Sequence, residues 1–173
     1  KEYPLERAET LIKFPPRKGR LIFKGGKGIA IPVGDARPKR SPDIRGAWVE
    51  GAEWLYGGVG YGGFNSAKGG GGCACWNARF ALDLFARSFV PELNRFRTAV
   101  LDTNGNLILR IGKYGNVDFG KPLINEGGPE NPRSVGGDEV VLCRSSYTAV
   151  HSDKRLFIAD YGNYRILSVK LGY

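Results

Sequence analysis

Three cysteines and one histidine are the residues of this chain best suited to metal or redox chemistry. Cys73 and Cys75 stand two apart, on one face of an extended segment, and Cys143 follows Cys75 by 68 residues. Three thiolates with His151 would complete a Cys3His zinc set. Against His151 as the fourth ligand, it lies eight residues beyond Cys143, roughly 25 Å along an extended chain. A Cys75–Cys143 or Cys73–Cys143 disulfide would instead suit an exported protein and leave one thiol over. Buried free thiols are the third reading. The expectation is therefore no cofactor, with zinc at Cys73, Cys75 and Cys143 as the alternative. C-x-x-C-H is absent, which removes covalent c-type haem attachment.

Acid–base and nucleophilic catalysis finds little footing. One histidine cannot form a multi-histidine centre, and Asp83, Asp102, Asp118 and Asp160 are scattered along the chain. Asp102-x-Asn104-x-Asn106 opens like a calcium loop but lacks the closing glutamate, so Asp102-Thr103-Asn104-Gly105-Asn106 reads as a hairpin turn. GVGYGG at 58–63 satisfies G-x-G-x-x-G, yet FNSAKGGGG follows it and offers no helix N-terminus to a pyrophosphate. No Gly-Lys-Ser/Thr occurs, so a P-loop is excluded, and the nine glycines of residues 57–72 read as a flexible connection. An enzyme is not the favoured reading.

Charge is a second candidate for function. The net charge is +9, and residues 1–45 hold 12 Lys/Arg against 5 Asp/Glu, so the surplus belongs to the N-terminal quarter. Its clusters, Arg17, Lys18 and Arg20, then Arg37, Lys39 and Arg40, lie beside prolines and so in loops. They are candidate binding residues for phosphate, an anionic glycan or an acidic protein surface. No run of 18 apolar residues exists, so no transmembrane segment is expected. The chain contains no methionine and begins at Lys1, which reads as processing or as a piece of a longer polypeptide.

The elements that must position these groups are short and β-rich. With 26 glycines and 10 prolines in 173 residues, and almost no helical periodicity, an all-β fold is expected. Candidate strands are 20–24, 28–33, 47–50, 54–57, 79–83, 88–92, 97–102 and 107–111, then 139–143, 147–151, 156–160 and 165–170. A shift of 68 residues lays RFALDLFARSFVPELNRFR over YTAVHSDKRLFIADYGNYR without a gap. Ala81 meets Ala149, Glu92 meets Asp160, and Arg97 meets Arg165. The repeated unit is a strand, a turn, a strand ending in an acid, a four-residue turn, and a strand opening with aromatic-Arg. The hairpin turn at 102–106 adds a fourth strand to the first copy, and four antiparallel strands describe a propeller blade.

FIADYGNYRILSV, and FVPELNRFRTAVLDTNGNLILRIGKYG with Glu92 in place of the aspartate, resemble the NHL repeat of β-propellers. That resemblance implies that Asp160 with Arg165, and Glu92 with Arg97, are structural ion pairs and not catalytic groups. It also implies about three blades, too few to close a propeller, since closed examples carry roughly four to eight. The expected organisation is a basic N-terminal extension (1–19), a degenerate blade (20–64), a Gly-rich connection (65–78), an NHL-like blade (79–115), an insertion loop (116–140), and an NHL-like blade lacking its fourth strand (141–173). The expected function is a non-enzymatic binding or scaffold module, a segment or subunit of a larger periplasmic or extracellular protein. Its partner would be another polypeptide, or further blades, that complete the propeller. The alternatives are a nucleic-acid-binding NHL propeller using the basic N-terminal region, and a metal-containing enzyme or electron-transfer subunit.

Overall fold

Strand-forming runs separated by turn residues leave the chain little choice but local antiparallel pairing, and the computed structural model follows that logic. It describes residues 9–23, 47–60, 78–115 and 140–172. The first strands are β1 (Glu9–Lys13), β2 (Arg20–Phe23), β3 (Ala47–Glu50) and β4 (Trp54–Val59). Antiparallel pairing of β1 with β4 and of β2 with β3 makes two two-stranded sheets, a ribbon interrupted where Gly51 meets Gly19. This departs from the expected organisation. Glu9–Lys13 falls in the segment read as a basic extension, because the apolar pair Leu11-Ile12 is flanked by charge and its partner strand lies far along the chain. Residues 28–33, the remaining expected strand of that region, lie outside the described residues.

Next come β5 (Ala81–Leu82), β6 (Ser88–Glu92), β7 (Arg97–Leu101) and β8 (Leu107–Ile111), a four-stranded antiparallel meander in chain order. A two-residue strand β9 (Lys113–Tyr114) then pairs in parallel with β10 (Val141–Leu142). Strands β11 (Ser145–His151), β12 (Arg155–Asp160) and β13 (Arg165–Lys170) form a three-stranded antiparallel meander. The expected strand at 139–143 is thus shortened to β10 and serves as a lead-in to β11.

The two meanders keep the 68-residue relation in their backbones. Ala81 pairs with Phe89 as Ala149 pairs with Phe157, and Glu92 pairs with Arg97 as Asp160 pairs with Arg165. A 3-10 turn follows each acid, at Leu93–Arg95 and at Tyr161–Asn163. Each turn ends on an aromatic residue in the left-handed region, Phe96 at φ 57° and Tyr164 at φ 52°. The hairpins before them repeat the device at Ala86 and Lys154. Left-handed non-glycine residues are uncommon, so four of them in two related pairs mark two turn designs, each used twice.

The four-stranded meander is the middle layer. Phe89 and Val100 face the three-stranded meander and cluster with Leu142, Leu156 and Ile158, all buried. Val90 and Leu101, one residue along, face Val59 with Leu11, Trp54 and Tyr56 of the ribbon. Cover on both sides is why β6 is buried throughout and β7 nearly so, whereas β12 and β13 alternate. Fully burying one such side chain contributes roughly 1.5–3 kcal/mol. The layers are also stitched by polar bonds. Thr148 Oγ1 donates to the Phe89 carbonyl at 2.9 Å, the Gly60 N–H to the Pro91 carbonyl at 2.8 Å, and Trp54 Nε1 to the Thr103 carbonyl at 3.0 Å. At Gly112, φ is +99° and an added Cβ would fall 2.6 Å from Leu142 Cδ1. Only glycine lets the chain leave β8 there. Among the described residues no helix is long and apolar enough to cross a membrane.

Candidate functional site

Strand β6 ends in Glu92, whose side chain is completely buried although glutamate is rarely so unless paired. Four donors from four elements converge on it. Oε1 accepts from the Tyr56 hydroxyl of β4 at 2.8 Å and from Arg95 Nη1 of the 3-10 turn at 3.1 Å. Oε2 accepts from Arg97 Nε of β7 at 2.5 Å and from Arg110 Nε of β8 at 3.2 Å. Burial pushes the Glu92 carboxyl up, but the hydrogen bonds from Arg97 and Tyr56 and the charges of Arg97 and Arg110 outweigh it and hold the group below its ordinary range. Burial and the Glu92 carboxylate together raise the Tyr56 phenol. Burial pulls Arg110 down, yet the Glu92 charge leaves it raised. The centre is a carboxylate ionised at neutral pH within a cationic cage.

The related acid Asp160 is held differently. Its Oδ1 accepts from the backbone N–H groups of Cys143 at 3.0 Å and Arg144 at 2.8 Å, and its Oδ2 from Asn163 Nδ2 at 2.6 Å. Arg165 Nε approaches Oδ2 at 3.4 Å while its Nη2 donates to the Val141 carbonyl at 2.6 Å. Asn163 reaches on to the Gly115 carbonyl. One arginine and three amide donors therefore tie β12 to the lead-in of β11. Gly162 makes this possible, since a Cβ there would fall 2.6 Å from Cys143 Sγ.

The structure brings each expected pair together, Glu92 with Arg97 and Asp160 with Arg165. Of the candidate basic residues, three lie within the described part of the chain. Arg17 and Lys18 are exposed on the turn between β1 and β2, while Arg20 pairs with Glu50 at 2.6 Å across β2 and β3. Arg37, Lys39 and Arg40 lie outside the described residues. So do Cys73 and Cys75, and with them the expected approach of Cys75 to Cys143 and the three-thiolate zinc set. Cys143 is a half-buried free thiol. His151 is exposed, with Nδ1 2.9 Å from Asp153 Oδ1. Among the described residues no group of three His, Cys, Asp or Glu side chains is placed to hold a metal ion.

No protein-family model matches the chain, and no curated protein matches it.

Asp83 and Asp102 are consumed by turns. Asp83 Oδ1 accepts from the N–H groups of Phe85 and Arg87, and its Oδ2 from Arg87 Nε at 2.6 Å. Asp102 Oδ1 accepts from the N–H groups of Asn104 and Asn106, as a hairpin turn requires. Sequence reasoning missed Tyr56, Arg95 and Arg110 as members of the Glu92 centre. The available signal was charge balance. Residues 88–111 carry three arginines with only Glu92 and Asp102, and the turn motif already claims Asp102. Two shallow grooves flank the first meander. One of about 320 Å³ is lined by Leu11, Trp54, Phe80 and Leu82, and one of about 290 Å³ by Leu82, Phe85, Val150 and His151. Leu84 and Phe85 stand exposed beside the second, where the related turn carries Ser152 and Asp153.

Proposed function

We propose that the two meanders are successive blades of an NHL-type β-propeller, and that the chain is a non-enzymatic binding or scaffold module, a segment or subunit of a larger exported protein of the periplasm or cell exterior. The observation that carries this reading is the 68-residue relation. It is kept in strand register, in the 3-10 turns and in the left-handed residues, and the related sheets pack against each other through β11, β5 and β6. The absence of enzymatic work in this reading rests on the buried acids, each of whose oxygens is already engaged. Among the described residues the second blade has three strands, and a fourth would come from further blades or another polypeptide pairing with β13. Nucleic acid is the second reading, favoured by the exposed Arg17 and Lys18. An experimental structure of the native polypeptide tests the first. Four-stranded sheets arranged radially with β5 and β11 innermost are expected, and a two-sheet sandwich would overturn it. The second reading requires binding that falls steeply with salt.

A further inference from the structure

We propose that the outer side of the Glu92 centre binds a tetrahedral dianion, a phosphate group, through Arg95, Arg97 and Arg110. Three guanidinium groups meet one carboxylate, so the cluster carries two positive charges that Glu92 does not balance. Arg97 and Arg110 both reach the same oxygen, Oε2, through their Nε atoms. Their guanidinium groups therefore meet at one oxygen, and Arg110 also reaches the Tyr56 hydroxyl. Arg95 spends only Nη1 on the other oxygen.

Bracing alone does not call for this arrangement. The related Asp160 is held with one arginine, an asparagine and two backbone N–H groups, and Asn163 stands where the first copy has Arg95. Adjacent like charges repel, and the single charge of Glu92 offsets one of the three, leaving a surplus that a second anion would lower. The side chains are 23%, 28% and 35% exposed, so the Glu92 side is dry while the other remains open to a solute. Arginine forks match phosphate oxygens two at a time, and a dianion balances the surplus charge. Because Glu92 fixes all three side chains beforehand, little rotamer entropy is lost on binding.

Calorimetric titration of the whole chain with inorganic phosphate, at ionic strength held constant with chloride, tests the proposal, with acetate as a parallel arm. Saturable phosphate binding is expected, weakened about tenfold in Arg95→Gln or Arg110→Gln and lost in the double variant. Lys170→Gln, on the far strand, retains it. Both arginine variants keep the Arg97–Glu92 bond. Should the double variant fail to fold, the Nε resonances of Arg95, Arg97 and Arg110 in the unaltered protein must still move with phosphate. Absent saturation, unmoved arginine resonances, equal binding by the single variants, or acetate binding as tightly as phosphate would overturn it. None of these outcomes depends on whether the meanders belong to a propeller.

Discussion

Replacing Glu92 by glutamine keeps the shape of the side chain and removes its charge. A glutamine oxygen can retain two of the four donors, for instance Tyr56 and Arg95, while its NH2 group then faces the Nε–H of Arg97 and of Arg110, donor against donor. Two charge-assisted hydrogen bonds are lost, each worth roughly 1.5–3 kcal/mol when buried. The arginines are partly exposed and recover water, so the lower end applies, and the expected cost is about 3 kcal/mol at pH 7. For a chain of this size that lowers Tm by about 6–12 °C. The cost has a definite pH dependence. Because the folded-state pKa of Glu92 is depressed, the unfolded chain binds the extra proton. Stabilisation is thus complete above the ordinary value of about 4.3 and is lost as pH falls through the lower folded value. Scanning calorimetry of both proteins between pH 7 and pH 3 should show the gap closing in acid. Equal melting at pH 7, or a gap that stays constant down to pH 3, would refute the assignment of Glu92 as an ionised brace.

Arg165→Ala should cost about 2 kcal/mol by urea denaturation, less than the Glu92 change, because Asp160 keeps its amide donors; binding of any ligand is expected to be unchanged where the variant is folded. Gly162→Ala should destabilise by about 1–3 kcal/mol through its clash with Cys143. Gly172→Ala, with nothing near the new methyl group, should stay within about 0.5 kcal/mol. Leu84→Ser should leave stability within about 0.5 kcal/mol, since Leu84 is 86% exposed and the related turn carries Ser152. Its effect is expected in light scattering, as reduced self-association.

The two meanders were legible in the sequence because every signal in them is local. Short turns, strand-length apolar runs and the acid five positions ahead of its arginine all act within one hairpin, and a gapless shift displays them twice. Strand β1 was not legible, since ETLIK becomes a strand only through β4, and nothing near it in sequence announces that partner. The parallel β9–β10 pair is two residues long and rests on Gly112 turning the chain toward Leu142. For the Glu92 centre, the Arg97 half followed from the repeat. Tyr56 and Arg110 arrive from a different sheet and from the last strand of the same sheet, so tertiary packing alone brings them in.

The contrast between local and distant pairing also governs the order in which the structure is made. Glu92 meets Arg97 and Asp160 meets Arg165 across tight turns, whereas Lys13 must find Trp54 and Glu9 must find Val59. Loop-closure entropy makes the distant search slower, and it needs an apolar surface on which to finish. That surface is the face of Val90 and Leu101, which exists only once β6 and β7 have paired. The ribbon is therefore expected to complete its cover only after β6 and β7 have paired, and hydrogen exchange that protects Glu9–Lys13 before Ser88–Glu92 during refolding would overturn this.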